Sequence, residues 1–192
     1  MKTTLDKIRE HFPCALGWKK LLAHLGKIQA DDEPLSIKTV LESNGLDDAL
    51  WCLRAVDGHD REIRLYAVWC ARQVQHLTHD KRIVDALNVV ERFANGTATP
   101  EELDAAGAVA GDAAEAVAGD AAGEAAAWAV AREAAGAAAR AAEGAARPAA
   151  WSAAGAAQAA ARAAARAAAW STAREAQEIE LIRLCDELES AA

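Results

Sequence analysis

The chain has 192 residues, 53% of them apolar, and a formal net charge of −8 from 21 Lys and Arg against 29 Asp and Glu. That length suits one domain of ordinary size, or a small domain with an appendage. The acidic balance argues against sequence-independent nucleic-acid binding, which needs a basic footprint, and suits a chain that docks on a basic partner.

The elements read at helical period from one end to the other. Thr4 is placed to cap a first helix over residues 5–12. Pro13 suits the first turn of a second, which carries Leu16, Leu21, Leu22 and Leu25 and stops at Gly26. After the acidic loop Asp31, Asp32, Glu33 and Pro34, Ser36 caps a short helix that ends at Asn44-Gly45. Asp47 opens the next, closed by Asp57-Gly58. Asp60 begins a central helix with Ile63, Ala67, Cys70, Ala71 and Val74 on one stripe, widened by Leu65, Val68 and Trp69. Asp80 begins another, burying Ile83, Ala86, Leu87, Val90 and Phe93 and ending at Asn95-Gly96. Thr99, Pro100 and Glu102 then spell a capping box with Pro at the first helical position.

Beyond that box the composition changes. Between Gly107 and Gln177 Ala makes up more than half of the residues, and the only large aliphatic side chains are those of Val109, Val117 and Val130. The strongest break is Arg147-Pro148, so two helices of about 60 Å each are expected at 1.5 Å per residue. Gly107, Gly111, Gly119 and Gly123 recur at multiples of four, and each internal Gly costs about 1 kcal/mol relative to Ala. Close packing of a second helix on that small-residue face is one explanation. Drift along a tolerant tract, or Gly-Asp steps dividing it into shorter helices, are the others. Acidic residues fill the first part of the tract and Arg the later part, an arrangement that favours an antiparallel hairpin with Asp120 near Arg174. Trp128, Trp151 and Trp170 are its large knobs. The expectation is an all-α fold: a compact helical domain over residues 1–98, then an Ala-rich hairpin of long helices over 99–192. The C-terminal end, with Leu181, Ile182, Leu184, Cys185 and Leu188, docks back on the first domain.

No run of large apolar residues reaches membrane-spanning length. Lys2, Asp6 and Lys7 stand where a secretion signal needs an apolar stretch. Cys14, Cys52, Cys70 and Cys185 are scattered with no Cys-x-x-Cys pair, as reduced thiols of a cytosol are. A cytoplasmic chain without membrane contact is expected.

Catalytic constellations are hard to find. His76 and His79 have i, i+3 spacing, but zinc wants about four ligands, and a polar helix end accounts for the pair. Cys70 lies on the most apolar helix face, where a thiol loses reactivity. Asp47 and Asp48 are adjacent and diverge on a helix. No catalytic residue, metal site or cofactor is expected. Arg54, Asp57, Asp60, Arg61 and Arg64 concentrate charge at a helix corner, as a network tying helices together or as a recognition surface.

Seven segments of the chain resemble a family of phage- and prophage-borne immunity proteins. They are residues 5–11 (LDKIREH), 17–22 (GWKKLL), 30–35 (ADDEPL), 41–54 (LESNGLDDALWCLR), 60–65 (DREIRL), 67–72 (AVWCAR) and 90–103 (VERFANGTATPEEL). The Ala/Trp/Arg tail adds to the likeness, although it holds more Gly and fewer Trp-Ala-Ala-Ala repeats than the family pattern. The resemblance covers essentially the whole chain and is most specific around Trp51 and Phe93. It implies a non-enzymatic inhibitor that neutralises a toxin, nuclease or host-defence effector by direct protein contact, with no nucleic acid bound. The surfaces expected to meet such a partner are Asp31, Asp32 and Glu33, and the acidic helix start Glu101, Glu102, Asp104 and Asp112. Two other readings are a phage anti-defence protein of the anti-CRISPR kind, whose carboxylates imitate nucleic-acid phosphates, and a helical scaffold that builds an oligomer.

Overall fold

Local capping sets the element boundaries. The structure, a computed structural model, describes residues 1–73, 75, 80–119 and 170–190. The fold is all-α, apart from one pair of two-residue strands, β1 (Lys2–Thr3) and β2 (Leu35–Ser36), which run antiparallel. The helices are α1 (Leu5–Glu10), α2 (Ala15–His24), α3 (Ile37–Asn44), α4 (Leu46–Cys52), α5 (Asp60–Gln73), α6 (Lys81–Ala94), α7 (Pro100–Gly119) and α8 (Trp170–Ser190), with a 3-10 turn at Leu53–Ala55 after α4.

Thr4, Ser36 and Asp80 cap α1, α3 and α6 by accepting backbone N–H bonds from Lys7, Lys38 and Arg82. The capping box is present in full. Thr99 N–H donates to Glu102 Oε2 at 2.8 Å and Glu102 N–H donates to Thr99 Oγ1 at 3.2 Å. Two boundaries differ from the sequence expectation. Pro13 precedes α2 rather than sitting in its first turn, and Cys14 caps the helix, its Sγ accepting the N–H of Gly17 at 3.3 Å. Gly45, not Asp47, starts α4. At φ 91° and ψ 177° it joins α3 to α4 in a conformation open essentially to glycine alone.

By contact the chain divides into two units, Met1–His59 with Glu180–Ala192 and Asp60–Ile179. The division falls at Asp60, whereas the sequence places it at residue 98. The physical reason is the composition of α7. Its buried stripe is Leu103, Ala106, Ala110 and Ala113. The first three complete a core with Val68, Ala86 and Val90 of α5 and α6. A capping box starts a helix, but a helix with so few large side chains still needs its neighbours to make a core.

In the first unit Leu5, Ile8, Leu21, Ile37, Val40, Ala49, Leu50 and Leu53 are all buried, each Leu or Ile contributing about 1.5–3 kcal/mol by leaving water. The last turns of α8 belong to it. There Lys38 pairs with Asp186, and Ser36 Oγ donates to Glu189 at 2.9 Å. In the second unit α5 buries Ile63, Arg64, Tyr66, Ala67, Val68, Cys70 and Ala71. That covers most of its circumference, with Tyr66 in place of the expected Leu65 and Trp69, which are half-buried. Tyr66 Oη donates to the carbonyl of Gln177 in α8 at 3.1 Å.

Gly111 was one of the four glycines expected to admit a close helix. A Cβ built there meets nothing within 4 Å among the described residues, and the helix expected to pack on it lies outside them. Gly123, Asp120, Trp128, Trp151 and the Arg147-Pro148 break, on which the hairpin rests, lie outside the described residues, as do His76 and His79.

Candidate protein-binding surface

α1 ends in a turn that leaves an aromatic ring in solvent. His11 and Phe12 donate their N–H groups to the carbonyls of Ile8 and Arg9 at 3.2 and 3.0 Å. Phe12 takes φ 56°. That left-handed conformation costs a residue with a side chain about 1–2 kcal/mol and is usually filled by Gly. Pro13 follows, and its ring keeps the preceding residue out of the right-handed helical region. The cap at Cys14 then starts α2.

The consequence is a run of exposed apolar side chains: Phe12 is 90% exposed, Leu16 84% and Ile28, four residues past the end of α2, 96%. Val109 at 42% and Ile179 at 64% are the other large apolar side chains well exposed among the described residues. Of the leucines that this segment carries, Leu21 is buried and Leu16 exposed. Five residues separate the two, which turns them about 140° apart on a helix, so burying Leu21 turns Leu16 outward. Leu22 and Leu25 are half-buried.

Cations accompany these anchors. Leu16, Lys19, Lys20 and Ala23, at i, i+3, i+4 and i+7, share the exposed face of α2, and Arg9 is exposed on α1. None of Arg9, Lys19 and Lys20 forms an ion pair among the described residues. The opposite side of α2 closes a cavity of about 70 Å³ lined by residues that include Ile8, Pro13, Trp18, Val40, Trp51 and Cys52. It is far below the roughly 300–1,000 Å³ of small-molecule sites. A shallow, mostly apolar cleft of about 300 Å³ lies between α6 and α7, with Ala86, Val89, Ala106 and Val109 on its walls.

Of the acidic residues expected to meet a partner, Asp31, Glu33, Glu101 and Glu102 have local work. Lys27 holds Asp31 at 2.6 Å and Glu33 at 2.5 Å, and the hydrogen bond it donates to Asp31, then that to Glu33, raises its pKa. Asp32 stays exposed. Glu102 closes the capping box and takes a second bond from Arg92 Nη2 at 2.8 Å. The Thr99 N–H first, and Arg92 second, hold its carboxyl below the usual range. Glu101 is held low as well, by its own backbone N–H and then by Thr99. Asp104 and Asp112 are exposed, with Asp112 in the field of Arg82.

The corner charges also find partners, each within its own unit. Arg54 donates from Nε to the carbonyl of Trp51 at 2.7 Å and lies 4.2 Å over that indole ring. Asp57 pairs with Lys7 at 2.6 Å. In the second unit Asp60 opens α5 and its charge acts on buried Arg64, whose guanidinium lies 5.1 Å from the Phe93 ring. Arg61 donates to Asn95 Oδ1 at 2.7 Å. These contacts tie helices and turns together.

Burial first, and the charge of Asp48 second, push the Cys52 thiol up to about 12, and burial raises Cys185. No group of three or more His, Cys, Asp or Glu side chains converges to hold a metal among the described residues. No helix among them is long and apolar enough to cross a membrane.

Phe12, Leu16 and Ile28 escaped the sequence reading. The signals were present: Phe12 fills a helix-stop position where Gly or Asn is usual, and Leu16 has Lys19 and Lys20 at its i+3 and i+4 positions. Compared with known protein families, curated proteins and solved structures, the chain matches none.

Proposed function

We propose that this protein is a non-enzymatic binding inhibitor of the immunity kind, which neutralises a toxin or effector by direct protein contact. The observation that carries the reading is the set of exposed apolar anchors, Phe12, Leu16 and Ile28, flanking a helix whose other side is packed in a core. Single exposed apolar residues are ordinary, but nearly full exposure of three large ones between residues 12 and 28, one of them held in a strained turn, supports an interaction surface. A rigid helix face presents such anchors with little entropy to lose on binding. The carboxylates of Asp31, Glu33, Glu101 and Glu102, engaged in salt links and a helix cap, serve the fold, so α2 replaces them as the principal contact. The sequence resemblance to phage and prophage immunity proteins points the same way.

The test is affinity capture with the tagged full chain from its native host, infected and uninfected, followed by an activity assay on whatever is retained. A stoichiometric nuclease, toxin or defence subunit that loses activity when the chain is added back supports the reading. Recovery of the chain alone, as a defined multimer, replaces it with the scaffold reading. Release of a captured effector by added DNA or RNA favours the anti-defence reading, in which carboxylates imitate phosphates.

A further inference from the structure

We infer that the exposed face of α2 docks into an apolar groove rimmed by carboxylates on a protein partner. This rests on the binding-protein reading and adds to it the partner's chemistry and the residues that meet it. Phe12 and Leu16 supply two anchors at the N-terminal end of α2, and Ile28 a third beyond its C-terminal end. Each of the three is at least 84% exposed, so each brings nearly its whole apolar surface to a partner. Lys19 and Lys20 lie on the same face as Leu16, with Arg9 exposed on the preceding helix, and none of the three forms an ion pair among the described residues. In a chain of net charge −8, Lys19 and Lys20 give this face a local positive character. They attract a carboxylate-rimmed groove and reject a basic one at contact distance.

The same features select among occupants. A second copy meeting this face across a two-fold axis brings like residues toward each other, so Lys19 and Lys20 approach their own counterparts. Three anchors by themselves also fall short of the roughly 800 Å² per partner of a stable interface, so a rim of favourable polar contacts has to complete it. Carboxylates opposite Lys19 and Lys20 supply that rim, and a second copy presenting the same face across a two-fold axis does not. An anionic bilayer presents unbroken negative charge, which repels the exposed carboxylates Asp6 and Glu10 of α1 along with attracting the lysines. A groove meets the lysine-bearing face alone.

The experiment uses three helical peptides of 18 residues, each with Leu along one face and with Glu, Gln or Lys along its rim. Binding to the full chain is read by fluorescence anisotropy at low and physiological salt. The Glu peptide is expected to bind at least tenfold more tightly than the Gln peptide, the Lys peptide weakest, with the Glu advantage shrinking as salt rises. The double variant Phe12→Ser, Leu16→Ser loses this binding. Lys19→Glu with Lys20→Glu reverses the order of the peptides, and far-UV circular dichroism checks that both variants stay folded. Equal binding of the three, preference for the Lys peptide, or binding of none overturns the inference. So does retention on phosphatidylserine–phosphatidylcholine vesicles, or a dimer in the ultracentrifuge, if Leu16→Ser abolishes it. The two proposals fail separately. A captured effector still held by the Phe12→Ser, Leu16→Ser chain removes this surface and leaves the inhibitor reading intact. Absence of any effector removes the inhibitor reading whatever the peptides do.

Discussion

Replacing Phe12 by Gly separates what this residue does for the fold from what it does at the surface. The backbone sits at φ 56°, so Gly relieves a conformational cost of about 1–2 kcal/mol. Against that stands the larger entropy that Gly loses on folding, about 0.5–1 kcal/mol. The ring is 90% exposed. Its remaining tenth, on the order of 20 Å² of a large aromatic, contributes about 0.5 kcal/mol at 25 cal/mol per Å². These terms nearly cancel, and the expected change in stability is within about 1 kcal/mol of zero. An aromatic cut from a packed core costs about 3–5 kcal/mol instead. Urea denaturation followed by Trp fluorescence reads this in the first unit, where Trp18 and Trp51 report. With an m-value of about 1–3 kcal/mol/M the midpoint moves by less than about 1 M. Binding to the captured partner should weaken tenfold or more. A loss of stability above about 2 kcal/mol refutes the reasoning, because the ring is then part of the core and its exposure is not available to a partner.

Three further outcomes follow from the packing. Gly111→Ala meets open space and gains helix propensity, so thermal stability should rise by about 0.8–1 kcal/mol; a loss there reveals a neighbour pressed against the helix. Thr99→Ala removes the side-chain half of the capping box and should cost the second unit about 1 kcal/mol in chemical denaturation, with no effect meaning that the box is not formed in solution. Asp57 and Asp80 are held below their ordinary 3.8, chiefly by hydrogen bonds from Lys7 and Arg82, and Glu101 and Glu102 below 4.5 by backbone and side-chain bonds. Depressed folded values mean that the unfolded chain takes up protons first on acidification. Their stabilisation is therefore present above the unfolded values and lost as pH falls through the lower folded ones. Denaturation midpoints measured from pH 7 down to pH 3 should begin to fall near pH 4.5, and a flat profile contradicts these contacts.

How much of this was legible beforehand depended on the range of the interaction. Caps at Thr4, Ser36 and Asp80 and the box at Thr99 and Glu102 involve groups two or three residues apart, and the sequence displays both partners together. The buried stripe of α6 was equally legible, because Ile83, Ala86, Leu87 and Val90 repeat at helical period. By contrast, the acidic clusters looked like open surface. Glu102 turned out to meet Arg92, and Lys27 to meet both Asp31 and Glu33, through a helix turn and a loop whose paths composition does not describe.

Among the described residues the sequence by itself determined the helices, apart from the starts of α2 and α4: helical period and caps are local properties that survive any arrangement of the helices. Tertiary structure alone decided which side of each helix meets the core. For α2 the choice lay between the sides bearing Leu16 and Leu21, about 140° apart. Packing against α3 buried Leu21, leaving Leu16 beside Lys19 and Lys20 in solvent. The same holds for the unit boundary. Thr99 and Pro100 mark where α7 starts, but Leu103, Ala106 and Ala110 join a core only when Val68, Ala86 and Val90 stand opposite them. A helix of mostly small side chains has too little apolar area to form a core alone, so its place is settled by contacts distant in the chain.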